Sequence, residues 1–141
     1  MNKSENESNY WVIYGALWVA FSILLGAAGK HVLMADGAVI RAENLNTASQ
    51  FGMIMGLSLM VLSALRWMRF WSAYAPWPER LVGTGLFLFS GGLAARSLAP
   101  ESMISDLMSP CIPCGGVLLS VGFFLVAIQT IALLYVKNDR E

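Results

Sequence analysis

One histidine, two cysteines and a small group of amides and charges are the side chains in this sequence whose types and spacing could do chemistry. His31 is the sole histidine. Imidazole ordinarily titrates near neutral pH, but a single imidazole without a ligating neighbour makes a poor metal site. The plainer reading is a helix-end histidine that bonds backbone carbonyls. Cys111-Ile-Pro-Cys114 is the one cysteine pair. In thioredoxin-type enzymes a C-x-x-C opens a helix whose N-terminus activates the thiol, whereas in an oxidising compartment the same spacing favours a disulfide. No βαβ pattern surrounds the pair, so structural or incidental cysteines are expected. A third group, His31, Arg41, Glu43 and Gln50, joined by Asn44, Asn46 and Thr47, gathers where the first apolar run ends and the second begins, and is the candidate polar site. No hydrolase constellation, phosphate-cradling loop or nucleotide motif is present, so no enzyme, metal or cofactor is expected.

The elements that must position these groups are membrane spans. The chain is 57% hydrophobic and 13% charged, against about 25% charged in soluble domains. Residues 10–29, 47–65, 81–95 and 115–136 carry no charge. A helix needs about 20 apolar residues to cross the hydrocarbon layer. The third run reaches that length at Leu98 if Arg96 extends its stem toward the head groups. The expected fold is therefore all-α, an integral membrane bundle of four transmembrane helices at about 10–29, 47–65, 81–98 and 115–136. Together they form one membrane domain over 10–136, between tails at 1–9 and 137–141. Gly26-Ala-Ala-Gly29 resembles signal-peptide cleavage chemistry, but Lys3 opposed by Glu5 and Glu7, and the length of the run, favour a retained span.

Of nine basic residues, Lys3, Arg66, Arg69, Arg80, Lys137 and Arg140 fall on one side, and Lys30, Arg41 and Arg96 on the other. The positive-inside rule then puts both termini and the central loop in the cytoplasm, in a cytoplasmic (inner) membrane. Tyr10, Trp11, Trp67, Trp71, Tyr74, Trp77 and Tyr135 fall at that same surface, as interfacial anchors do. Zero formal net charge leaves no footprint for nucleic acid, so the expected partners are the lipid bilayer and other membrane proteins. In the outer connection, Met34, Ala38, Ala42 and Leu45 are spaced for a short helix lying on the membrane surface. The connection around Pro100, Pro110 and Pro113 should be irregular.

Lipid tails are as apolar as leucine, so spans associate through small residues that allow close approach. Gly26 and Gly29, Gly52 and Gly56, Gly91 and Gly92, and Gly116 supply such positions, and read best as packing seams within the chain. A homodimer through Gly52 and Gly56 is the sharper alternative.

The order of these motifs carries a resemblance. Gly26-Ala-Ala-Gly-Lys-His31, Thr47-Ala-Ser-Gln-Phe51, Leu88-Phe-Ser-Gly-Gly-Leu93 and Pro113-Cys-Gly-Gly116 together resemble the signatures of the YgdD-like family of small inner-membrane proteins, domain of unknown function 423. The resemblance implies a four-helix membrane protein and assigns no activity. A second histidine common in the family, at the position of Met55, is absent here, and the family's matching positions do not generally carry Cys111 and Cys114. The expected role is a non-enzymatic accessory or structural component of the membrane. The alternatives are a small permease or lipid-handling protein using the outer polar loop, and a thiol–disulfide protein acting through Cys111 and Cys114.

The basic-residue count makes a direct prediction. After reduction, a membrane-impermeant thiol reagent applied to intact cells should label Cys111 or Cys114, and a cysteine placed at Ser72 should stay protected. Labelling at Ser72 alone would reverse the orientation.

Overall fold

The computed structural model describes residues 3–68 and 76–138. Arg69, Trp71, Ser72, Tyr74 and Arg140 lie outside the described residues. Among the described residues, four helices are long and apolar enough to cross a membrane: Asn9–Leu33, Val39–Trp67, Trp77–Leu98 and Cys111–Leu133. They are numbered here as spans one to four. Span one is α1 (Lys3–Ala28) continued by a wide π-helical turn, Gly29–Leu33. Span two is α2 (Val39–Trp67). Span three comprises α3 (Trp77–Leu86), a second π turn (Phe87–Gly91) and α4 (Gly92–Leu98). A short α5 (Met103–Met108) precedes span four, which lies within α6 (Cys111–Asn138). One end of the bundle carries the 34–38 and 99–110 connections and is called the distal face; the other end, where α1 begins and α6 ends, is the terminal face.

The distal turn after span one is tighter than the charge pattern suggests. Gly37 adopts φ 72°, a left-handed conformation that glycine takes without a Cβ penalty. Gly37 N donates to Met34 O at 3.1 Å and Ala38 N to Leu33 O at 2.9 Å, the paired bonds of a Schellman stop. The chain reverses there, and α2 starts about two turns before the charge-free run. From Val39 on, the surface helix expected over Met34 to Leu45 is thus the first part of span two, while Met34 lies in the turn before it. Its apolar stripe is not laid on lipid: Ala42 is 3% exposed and Leu45 fully buried, packed with Leu25 and Leu33 of span one. The second distal connection also differs from expectation. Ser102 caps α5 by accepting from Ser105 N at 3.2 Å. Pro110 and Pro113 sit just before and within the first turn of α6, where the leading N–H groups have no helical partner to lose.

Backbones meet closely in two antiparallel hairpins. Between spans one and two, a Cβ on Gly15 would come within 2.6 Å of Gly56 O, and one on Gly56 within 2.8 Å of Gly15 O. One turn further along, a Cβ on Gly52 would collide with Ser22 Oγ, and Ser49 Oγ donates to Ser22 O at 2.7 Å. Gly52 and Gly56 therefore face span one. Between spans three and four, a Cβ on Gly85 would lie 2.8 Å from Gly115 O, and one on Gly122 would lie 2.7 Å from the Val82 side chain. Gly91 and Gly116 make only ordinary contacts, at 3.6 and 3.8 Å. Span two joins the hairpins by packing on span three. Span three is accordingly the most enclosed, with 44% of its apolar window buried, and span four the least, with 17%. Trp18, Leu59, Leu62, Val82, Leu86 and Leu119 form the central core.

Introducing Gly56→Leu should lower the melting temperature in detergent by several degrees, because overpacking costs about 1–3 kcal/mol and here meets backbone. Gly116→Ala should leave it unchanged. Equal melting of all three proteins would show that the first seam opens freely.

Candidate functional site

The distal polar group is built by the two ends that the Gly37 turn brings together. Lys30 stands on the π turn of span one, and Glu43 and Asn46 stand one helical turn apart on α2. With Gly26, Gly29, Met34 and Ala42 they line a cavity of about 220 Å³. A Cβ on Gly26 would meet Ser49 Oγ at 2.8 Å and one on Gly29 would meet Leu45 at 3.6 Å, so these two glycines serve the seam between spans one and two. π turns recur at functional sites because they break the regular helical ladder. Lys30 and Glu43 are exposed, and among the described residues neither takes part in an ion pair.

The four sequence candidates do not converge on one point. Arg41 points to span three: its Nε donates to Ser97 O at 2.7 Å and its Nη2 to Leu98 O at 3.4 Å. Those are closing carbonyls of α4, which lack helical donors, so Arg41 ties spans two and three together. Glu43 lies roughly 200° around the helix from Arg41 and lines the cavity. Gln50 falls on the same stripe as Glu43, two turns further along α2, and is exposed. His31 is exposed on the π turn, and among the described residues its side chain makes no hydrogen bond.

A second polar feature was not legible as a pair. At the terminal face, Arg66 in the last turn of α2 forms a bidentate ion pair with Glu79 in the first turn of α3. The Arg66 Nη2–Glu79 Oε2 distance is 2.8 Å, and the side chains are 9% and 1% exposed. Glu79 also sits at a helix N-terminus, where a carboxylate is favoured. In sequence, Arg66 read only as a cytoplasmic basic residue, and Glu79 fell outside the third apolar run. Its one local signal is its place next to Pro78, at the start of a helix.

Cys111 and Cys114 open α6 as free thiols. Cys111 Sγ lies 3.6 Å from Leu107 O, and Cys114 is exposed. A larger cavity, about 570 Å³, is elsewhere. It lies between spans one and three, against Tyr10, Trp11, Tyr14, Leu17 and Phe87, and its carbon lining offers packing surface but few groups for recognition. Span hydroxyls mostly return to their own helix, as with Ser63 to Leu59 O at 2.8 Å and Thr130 to Val126 O at 2.9 Å. Ser22 Oγ and Ser90 Oγ are buried without a partner.

No curated protein and no solved structure matches the chain. A family model, "Protein of unknown function (DUF423)", matches residues 25–116, more than half of the 141 residues. The chain belongs to the DUF423 family. The matched stretch begins at Leu25 and ends at Gly116, so it takes in the distal part of span one, all of spans two and three, and the start of span four. Every residue of the distal cavity, the Arg41 clasp and the Arg66–Glu79 pair falls inside it.

Removing one partner of a buried ion pair costs about 3–5 kcal/mol because the other charge is stranded. Glu79→Gln should therefore destabilise strongly in a detergent melt, and the double variant Arg66→Met, Glu79→Leu should recover much of the loss. Additive losses in that cycle would show that the pair is not coupled.

Proposed function

We propose that this DUF423 protein is a non-enzymatic accessory or structural component of the cytoplasmic membrane, with both termini in the cytoplasm. One observation carries the reading: Arg41, the Arg66–Glu79 pair and Ser49 reach across to neighbouring helices and hold them together. Arg41 closes the end of span three, Arg66 neutralises Glu79 between spans two and three, and Ser49 bridges spans one and two. A proton or ion path ordinarily runs through intramembrane ionisable residues that face a cavity. Here the buried carboxylate is already clamped, at the mouth of a helix. The six-to-three division of basic residues along the sequence supports the orientation.

The thiol–disulfide reading is favoured by a separate observation, the placement of Cys111 and Cys114 in the first turn of α6. Residues three apart on a helix have Cβ atoms about 5–6 Å apart, so modest rearrangement would bring the sulfurs together.

Purification in mild detergent from its native membrane should retain a second membrane protein in stoichiometric amount. Recovery of the chain alone, with solute flux into vesicles reconstituted from it, would overturn the accessory reading in favour of a permease. A Cys111→Ser, Cys114→Ser variant should rescue any deletion phenotype as well as the parent does. Failure to rescue while folding normally would establish the redox reading.

A further inference from the structure

The exposed face of α2 that begins at the distal cavity has a graded polarity. Glu43, Asn46, Gln50, Ile54, Leu57 and Val61 recur at steps of three or four residues, which places them on one stripe. The first three are exposed polar side chains. The last three are exposed apolar ones, at 56%, 53% and 57%. The stripe thus passes from a carboxylate, through two amides, to hydrocarbon along its length. Lys30 faces its upper end across the cavity.

Each feature constrains what fits there. The cavity holds one ammonium and one carboxylate that do not pair with each other, so the complementary group carries one charge of each sign. The cavity stands where the charge-free runs of spans one and two end, at head-group depth. Gln50 lies about one turn inside the run of span two, and an amide facing hydrocarbon is costly unless it is hydrogen-bonded. The occupant must therefore be zwitterionic at its head, carry acceptors below it, and end in apolar chains.

We propose that this stripe and cavity form a binding site for an ethanolamine phospholipid. The Lys30 ammonium donates to the lipid phosphate, and the lipid's primary ammonium donates to the Glu43 carboxylate. Asn46 and Gln50 amides donate to phosphate and ester oxygens, and the acyl chains lie along Ile54, Leu57 and Val61. Gly26 and Gly29 line the cavity on the side of span one. This site goes beyond the structural role proposed above and does not depend on it.

The test is native mass spectrometry of lipid-stripped protein in detergent. It is challenged in turn with phosphatidylethanolamine and phosphatidylglycerol of identical chains, and with soluble phosphoethanolamine as competitor. The parent should retain phosphatidylethanolamine about tenfold better than phosphatidylglycerol, the effect of one hydrogen-bonded charge pair. Glu43→Gln should bring that ratio close to one, Lys30→Met should weaken retention of both lipids, and Glu101→Gln should change neither. Because Lys30 and Glu43 are exposed, the variants should melt with the parent, which separates lost binding from lost folding. Equal retention of the two lipids by the parent, or an unchanged ratio in Glu43→Gln, would overturn the proposal. Displacement of the lipid by phosphoethanolamine at equal concentration would also overturn it, by assigning the cavity to a soluble zwitterion.

Discussion

Where Gly15 meets Gly56 and Gly85 meets Gly115, main chain touches main chain, and the rest of the bundle is arranged around those approaches. In water, burying a leucine stripe would hold two helices together; in lipid it gains little, because the alternative contact is equally apolar. What remains is dispersion, which decays steeply with separation, so contact distance decides whether helices associate. Small residues at those points bring the spans close enough for many weak contacts. They also let Ser49 reach the carbonyl of Ser22 across the seam.

The charged residues complete what the seams begin, and they act at helix ends. Arg41 covers carbonyls of α4 at the distal face, and Glu79 meets Arg66 at the opposite end. Spans two and three are therefore fastened at both ends by guanidinium groups, which donate in a planar fork suited to paired acceptors. Neither contact places an unpaired charge in the hydrocarbon. Span four is held mainly through the glycine contacts to span three, consistent with its low burial.

The spans were legible because absence of charge over a long run has one economical explanation, and four such runs appear. The turn between spans one and two was less so. Lys30, Asp36, Arg41 and Glu43 suggested a loop of some length, whereas Gly37 stops one helix and lets the next begin almost at once. Charge distribution reports where a chain can sit relative to lipid; it does not report where a helix ends. Among the glycines, the pair at 52 and 56 was visible as a motif. Gly15 and Gly122 stood alone in the sequence and Gly85 had only Gly83 nearby, and only the facing helix explains them. Of the polar residues, position in the sequence gathered Arg41 with Glu43, but a helix turns by about 100° per residue and points them to different neighbours. The Arg66–Glu79 pair joins positions separated by the central connection, and no local pattern marks it.

The tight turn at Gly37 has an electrical consequence. Lys30 and Arg41 are balanced by Asp36 and Glu43, so the hairpin tip formed by spans one and two carries no net charge with His31 neutral. Moving a unit charge through a membrane potential of 100 mV involves work of about 2.3 kcal/mol. A tip of zero net charge crosses without net work against that potential, in either direction. Because the Schellman stop keeps the two spans adjacent, they can insert together as one helical hairpin, with the energised state of the membrane neither drawing the tip across nor holding it back.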